Sequence, residues 1–316
     1  DAKPGIPVYA PGPPPKVVEK VKTEVVVIKS DKQESDLLEA FAPGPDLSDE
    51  DTAKVQLVSL GCYCGPKLTF QKIGRGAETL PFDWLRTSLD GVIYMLTKHF
   101  DGFYDYVTKL PVPGFEPMTI YRSHLHSFWH DNPNEPSMRE KYDRRIARMY
   151  SMGSGDSGPD SKKLLFVRVA ASTDELARVE ELLQLLVELF GSEVQLLLIL
   201  NWQNTLHGPA VVPDIPNLLV YHASGSVHDK SQQEIQGAPY AAAVKLGLDW
   251  SVGRSIQASE WKDLSQLSAQ TDRNDWGYKG MGGLAAFEDI AVPSRETVVP
   301  EEVLPEESKV PESTDA

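Results

Sequence analysis

Cys62 and Cys64 stand one residue apart, where the apolar run Val55 to Leu60 is broken by Gly61 and a new apolar segment opens at Gly65-Pro66. The run reads as a short buried strand. The segment, with Leu68 and Phe70, reads as a helix. Proline is tolerated in a first helical turn because its missing N–H would have no partner there. Cys64 therefore falls at or just before a helix N-terminus. The unpaired amides and the positive end of the helix dipole favour a thiolate there, the form in which cysteine attacks an electrophile. The same position suits a small apolar residue packing a strand–helix corner, since free cysteine is among the most often buried residue types. Cys62, as a spare thiol, adds a redox alternative through a transient disulfide.

A second chemically dense stretch is MTIYRSHLHSFWHD, Met118 to Asp131, which holds three of the seven histidines. Strand spacing puts His124 and His126 on one face, with His130 and Asp131 at the end. His124, His126, His130 and Asp131 are suitable metal-ligand types, and two histidines one apart on a strand can chelate. A hydrogen-bonded core edge is the competing reading. Asn201-Trp202 follows the apolar run Leu196 to Leu200, at the strand end where α/β proteins place ligands. Motifs for dinucleotides, phosphate, zinc-binding CxxC pairs and a Gly-x-Ser-x-Gly elbow are missing, so no cofactor is expected.

SLGCYC followed by LPFDWL resembles a family of uncharacterised proteins described as papain-like cysteine peptidases. The residues that carry the resemblance are Ser59, Leu60, Gly61 and Cys64, then Pro81, Phe82, Asp83 and Trp84. Further matches are Phe128 to Asp131 (FWHD), Tyr142 to Arg148 (YDRRIAR) and Leu164 to Arg168 (LLFVR), so that it covers roughly Val55 to Tyr221. The resemblance implies a cysteine hydrolase, which needs a thiolate, a histidine that holds it and later donates a proton, and a third group that orients the histidine. Cys64 supplies the first. His130, in the matching box, is the candidate for the second. Asp131 or Asn201 supplies the third, and Cys, His, Asn is the order of papain-like peptidases. Backbone amides at the start of the Cys64 helix form the candidate oxyanion hole.

The elements that must position these groups follow from periodicity and caps. The PFDWL box reads as a packed corner, with Phe82 and Trp84 buried and Asp83 capping the next turn. Leu89, Val92, Ile93, Leu96 and Phe100 fall on one helical face. Ser137-x-x-Glu140 and Ser172-x-x-Glu175 are capping-box patterns for two more helices, the second running to Phe190 and closed by Gly191. Arg144 and Arg148 share one side of the first of these, with surface ion pairing as their plain role. Arg168 interrupts a buried strand and calls for a carboxylate partner or a strand end. Val194 to Leu200 and Asn217 to Tyr221 read as further strands, and Ala238 to Leu246 as a short helix. Strand, helix, strand, loop, strand predicts an α/β fold: one domain with a mainly parallel sheet flanked by helices, unlike the papain fold.

The chain has 316 residues and formal net charge −15, unevenly placed. Residues 1–53 carry −5, residues 287–316 carry −7, and the body, residues 54–286, carries −3. Nothing here attracts nucleic acid or an anionic membrane surface, both of which need a basic patch. No apolar run approaches the ~20 residues of a membrane-spanning helix, so no membrane span is expected, and peripheral contact with a membrane complex stays open. Both ends are Pro-punctuated and acidic, with too little apolar material for a core of their own. They read as extended arms that engage protein partners, and Val25 to Ile28 is a strand candidate within the first. A chain that starts with Asp suggests processing and an organelle, a plastid or mitochondrion. Beside the cysteine hydrolase stands a second function class: a non-catalytic subunit of a larger photosynthetic or respiratory assembly that reuses an enzyme-like body.

Overall fold

The computed structural model describes residues 25–27, 50–112, 117–152, 163–225 and 240–276. Its main sheet is assembled from strands β1 (Val25–Val27), β2 (Val55–Ser59), β7 (Lys163–Val169), β8 (Val194–Leu200), β9 (Gly208–Val211), β10 (Leu218–His222) and β11 (Ile256–Glu260), in the order β1-β11-β9-β10-β8-β7-β2. Neighbours β2, β7, β8 and β10 run parallel, while β9 runs against β10 and carries β11 parallel to itself. The fold is thus α/β with a mainly parallel sheet. β9 and β11 have no long apolar run and were not legible as strands; β9 gains its place from β10, and β11 from β9. Val25–Val27 pairs in parallel with Ile256 to Ala258 at the sheet edge.

The central strands are apolar on both faces because both faces are covered. On one face Leu164, Phe166, Leu196, Leu198, Leu200, Leu218 and Val220 pack under α3 (Leu89–Thr97) and α5 (Val179–Phe190). On the other, Leu165, Val167, Val169, Leu197, Ile199, Leu219 and Tyr221 meet α6 (Ala241–Ser251) and Phe70 of α2 (Gly65–Lys72). Gly247 lets α6 approach so closely that an added Cβ would stand 3.1 Å from Leu197 and 3.2 Å from Leu165.

Between β2 and β7 the chain makes a long excursion that contains a second, antiparallel sheet. Its order is β3-β6-β5-β4, from β3 (Leu85–Thr87), β4 (Thr108–Pro111), β5 (Thr119–Arg122) and β6 (His126–Phe128). Helix α4 (Pro136–Ser151) lays Met138, Tyr142 and Met149 against the same core. Met118 to Asp131 is therefore two strands, not one. The Ser123 hydroxyl accepts the N–H groups of Leu125 and His126 at 3.2 and 3.0 Å and closes a turn between them, as serine side chains do when they stand in for backbone. His124 lies in that turn, exposed, while His126 is buried on β6, so the two share no strand face.

Two caps differ from the expected ones. Helix α4 starts after Glu135, with Pro136 in its first turn, rather than at Ser137. Ser172 does cap its segment, accepting from Asp174 N–H at 3.2 Å, but Thr173–Arg178 is a 3-10 turn and the α-helix begins only at Val179. Glu175 is drawn away from the capping box by Arg168. Gly191 closes α5 with φ 99, as expected. The loop from Ser151 to Lys163 lies largely outside the described residues, as do the acidic arms apart from Val25–Val27 and α1 (Glu50–Ala53). No helix among the described residues is long and apolar enough to cross a membrane.

Candidate active site

Strand β2 delivers the chain to Gly61, whose φ of 77 is open to glycine and disfavoured for other residues. A Cβ there would also meet the Thr87 hydroxyl at 3.0 Å. The turn sends Cys62 inward and Cys64 outward. Cys62 is 3% exposed and packs in the sheet core, where burial pushes its thiol up to about 12. Cys64 is half-buried and is the N-cap of α2, with Pro66 in the first turn. Its thiol also lies above the ordinary cysteine range, because burial outweighs the two influences that favour the thiolate, its own backbone N–H and Arg86. The helix start by itself predicts the opposite sign; desolvation of the corner reverses it.

Gly65 fits under the Tyr63 ring, which an added Cβ would overlap. That ring stands edge-on to Trp276 at 5.5 Å and its hydroxyl is 2.8 Å from the Tyr240 hydroxyl. Gly65→Ala should therefore dislodge Tyr63 and cost about 1–3 kcal/mol, as overpacking does. Chemical denaturation checks this, and an unchanged unfolding midpoint would show that the ring moves aside freely.

The corner is held by two buried ion pairs. Lys67 of α2 is 1% exposed, lies 3.2 Å from the Asp83 carboxylate, and donates to Gly76 O at 2.6 Å and to Glu78 O. Asp83 also accepts from Leu80 N–H at 2.8 Å, so it closes its own turn rather than the next one, and Leu85–Thr87 continues as strand β3. The PFDWL box is the packed corner its composition indicated, though Trp84 is only half-buried. The second pair is Arg168 with Glu175. Arg168 is fully buried and forks onto both Glu175 oxygens at 3.0 and 2.7 Å. Its remaining donors reach Leu60 O, Thr87 Oγ1 and Thr87 O at 3.0, 3.0 and 2.9 Å. One guanidinium thus fixes the end of β2 and the end of β3, on either side of the cysteines.

The other predicted site residues lie on different elements. His130 is exposed after β6, with its ring edge-on to Trp84 at 6.0 Å between centroids. It makes no hydrogen bond to Cys64. It lines a groove of about 830 Å³ with Tyr121, Trp129, Asp131, Lys141 and Arg144. Asp131 is engaged by Lys141 and by the Tyr142 hydroxyl at 3.0 Å. Asn201 follows β8 at the C-terminal edge of the sheet, 1% exposed, and donates to the Tyr240 hydroxyl at 3.0 Å while its Oδ1 has no partner. Trp202 beside it takes φ 57, a left-handed conformation that bulky residues rarely adopt. Arg148 donates to Thr79 O at 2.7 Å instead of pairing at the surface.

The metal alternative fails. Among the described residues no three His, Cys, Asp or Glu side chains come together as ligands. His126 already uses both ring nitrogens. Phe103 O can only accept, so Nε2 carries the hydrogen at 2.8 Å and Nδ1 faces the Ser123 hydroxyl at 2.9 Å. Sequence reasoning missed Arg86, Tyr63 and Tyr240. Arg86 lies within the PFDWLR stretch, and a charged residue in the middle of an otherwise buried strand was the available signal.

A protein of Acanthamoeba polyphaga mimivirus, named only as uncharacterized, is 29% identical over 182 residues, spanning 48% of this chain and 78% of that protein. No solved structure matches the chain. Residues 55–200, the stretch that holds Cys62, Cys64, Arg86, His130 and Arg168, match the model of the family described as "putative papain-like cysteine peptidase".

Proposed function

We propose that the protein is a cysteine-dependent hydrolase with Cys64 as its nucleophile. The observation that carries the reading is the division of labour between the two thiols: Cys62 is sealed in the core, whereas Cys64 reaches the surface at a helix start beside a cation. His130 takes the Cys64 thiol proton as the sulfur attacks an acyl carbon, and the carbonyl oxygen becomes an oxyanion facing the backbone amides at the start of α2. Collapse of this intermediate expels the leaving group with a proton from His130 and leaves a thioester. Water then attacks the thioester, restoring the thiol and releasing the acid. His130 must approach Cys64 for this, and catalytic hydrogen bonds commonly tighten only when substrate binds. Of the two orienting candidates, Asp131 is committed to Lys141 and Tyr142, whereas Asn201 keeps an acceptor in hand.

A second reading, a non-catalytic subunit whose arms bind partner proteins, is favoured by two observations: burial raises the Cys64 thiol, and His130 makes no hydrogen bond to it. Limiting iodoacetamide near neutral pH, with mass-spectrometric mapping, and turnover of p-nitrophenyl acetate separate the two. The hydrolase reading expects Cys64 to be alkylated about tenfold ahead of Cys62, as thiolate access dictates, and Cys64→Ala to abolish ester turnover. Preferential alkylation of Cys62, or of neither, sinks the assignment. Alkylation of Cys64 without any turnover favours the subunit.

A further inference from the structure

Arg86 is a half-buried cation with no anion among the described residues. Strand β3 fixes it from both sides: Arg86 stands opposite Ser127 of β6, and the next residue, Thr87, donates its N–H to Cys62 O at 3.1 Å. The guanidinium carbon lies 4.5 Å from the centre of the Trp129 ring. Among the described residues that stack is the one ring contact of its side chain, and no carboxylate or carbonyl takes its guanidinium N–H groups. The other cations of this corner are matched, Arg168 by Glu175 and Lys67 by Asp83. The groups that sense the charge of Arg86 are Cys62, Cys64 and Tyr63, none of them an acid in the ordinary sense, and its own burial works against its charge. A guanidinium lying on an indole keeps its in-plane N–H edge open to a planar, two-oxygen acceptor. A half-desolvated charge left uncompensated beside a candidate nucleophile is an arrangement that a bound anion would complete.

We propose that Arg86 is the anion subsite of the Cys64 centre: it holds a carboxylate of the substrate, so that the acyl compound attacked bears a negative charge close to the scissile bond. An acidic peptide and a small dicarboxylic acyl compound share this chemistry. The inference rests on Cys64 as the reactive thiol, and its test keeps the two apart.

The probes are iodoacetate and iodoacetamide, which differ in little but the carboxylate. Each forms a C–S bond at the Cys64 sulfur and releases iodide, so no turnover is required. The iodoacetate-to-iodoacetamide rate ratio at Cys64 should be about fivefold higher in the native protein than in Arg86→Gln, the upper end for a partly exposed ion pair. Arg86→Lys should keep part of the preference, since it retains the charge without the fork. In the native protein added salt should slow iodoacetate and leave iodoacetamide unchanged, a measurement that stands even if Arg86→Gln does not fold. Equal ratios in the native protein and Arg86→Gln, or both rates falling by one factor, would overturn the subsite while leaving Cys64 as the reactive thiol; the second result makes Arg86 a counter-ion for the thiolate only. Failure of iodoacetamide to label Cys64 at all would overturn both.

Discussion

Replacing Arg168 with methionine is expected to cost about 3–5 kcal/mol of stability, the usual consequence of stripping one partner from a buried ion pair. The loss is large because of what remains behind. Glu175 would stay buried without its guanidinium partner, while still accepting Leu89 N–H at 3.1 Å. Leu60 O and Thr87 O would lose their shared donor. Arg168→Lys should recover little, since an ammonium cannot span Glu175, Leu60 and Thr87 at once. Arg168→Met combined with Glu175→Leu should be milder than Arg168→Met alone, because no unpaired charge is left. Urea unfolding midpoints measure all three. Because the same guanidinium anchors both sides of the cysteine turn, Arg168→Met should also expose Cys62 to iodoacetamide. A loss under about 1 kcal/mol, within the range of surface ion pairs, would show that the network is dispensable.

The second large effect is acid sensitivity. His126 and His222 are buried, and burial depresses each to about 4. An unfolded histidine titrates near 6.5. Between these values the unfolded chain binds more protons than the native one, so stability is full above about pH 6.5 and is lost as pH falls toward about 4. At about pH 5 the loss should be on the order of 2 kcal/mol per histidine. Asp83 works with the opposite sign, since burial raises its carboxyl and the native state takes up its proton more readily. His126→Gln isolates the histidine share: it should flatten the slope of urea midpoint against pH by roughly half. A midpoint that stays level from pH 7 to pH 5 would mean that neither ring is sealed.

The central strands, the Cys64 helix and the α/β class were legible in the sequence because their signals are local. Val55 to Leu60, Leu164 to Val169 and Val194 to Leu200 are mostly apolar runs, interrupted by Gln56, Ser59, Arg168 and Gln195, and a strand buried on both faces shows little regular alternation. Gly61, Pro66 and Gly191 punctuate the chain where their backbone freedom or restriction demands it. The demand of Arg168 for a carboxylate was also readable, as an impossible burial without one. Tertiary structure decided the rest. β9 is a strand because β10 lends it an edge, and β11 because β9 does. The split of Met118 to Asp131 into two strands depends on one serine hydroxyl. The sign of the Cys64 shift turned on how much water the corner excludes, which no spacing encodes. Arg86, ordinary in the sequence, became notable only when the fold set it on Trp129 beside the cysteines with no acid among the described residues, because charge compensation is a property of neighbours in space.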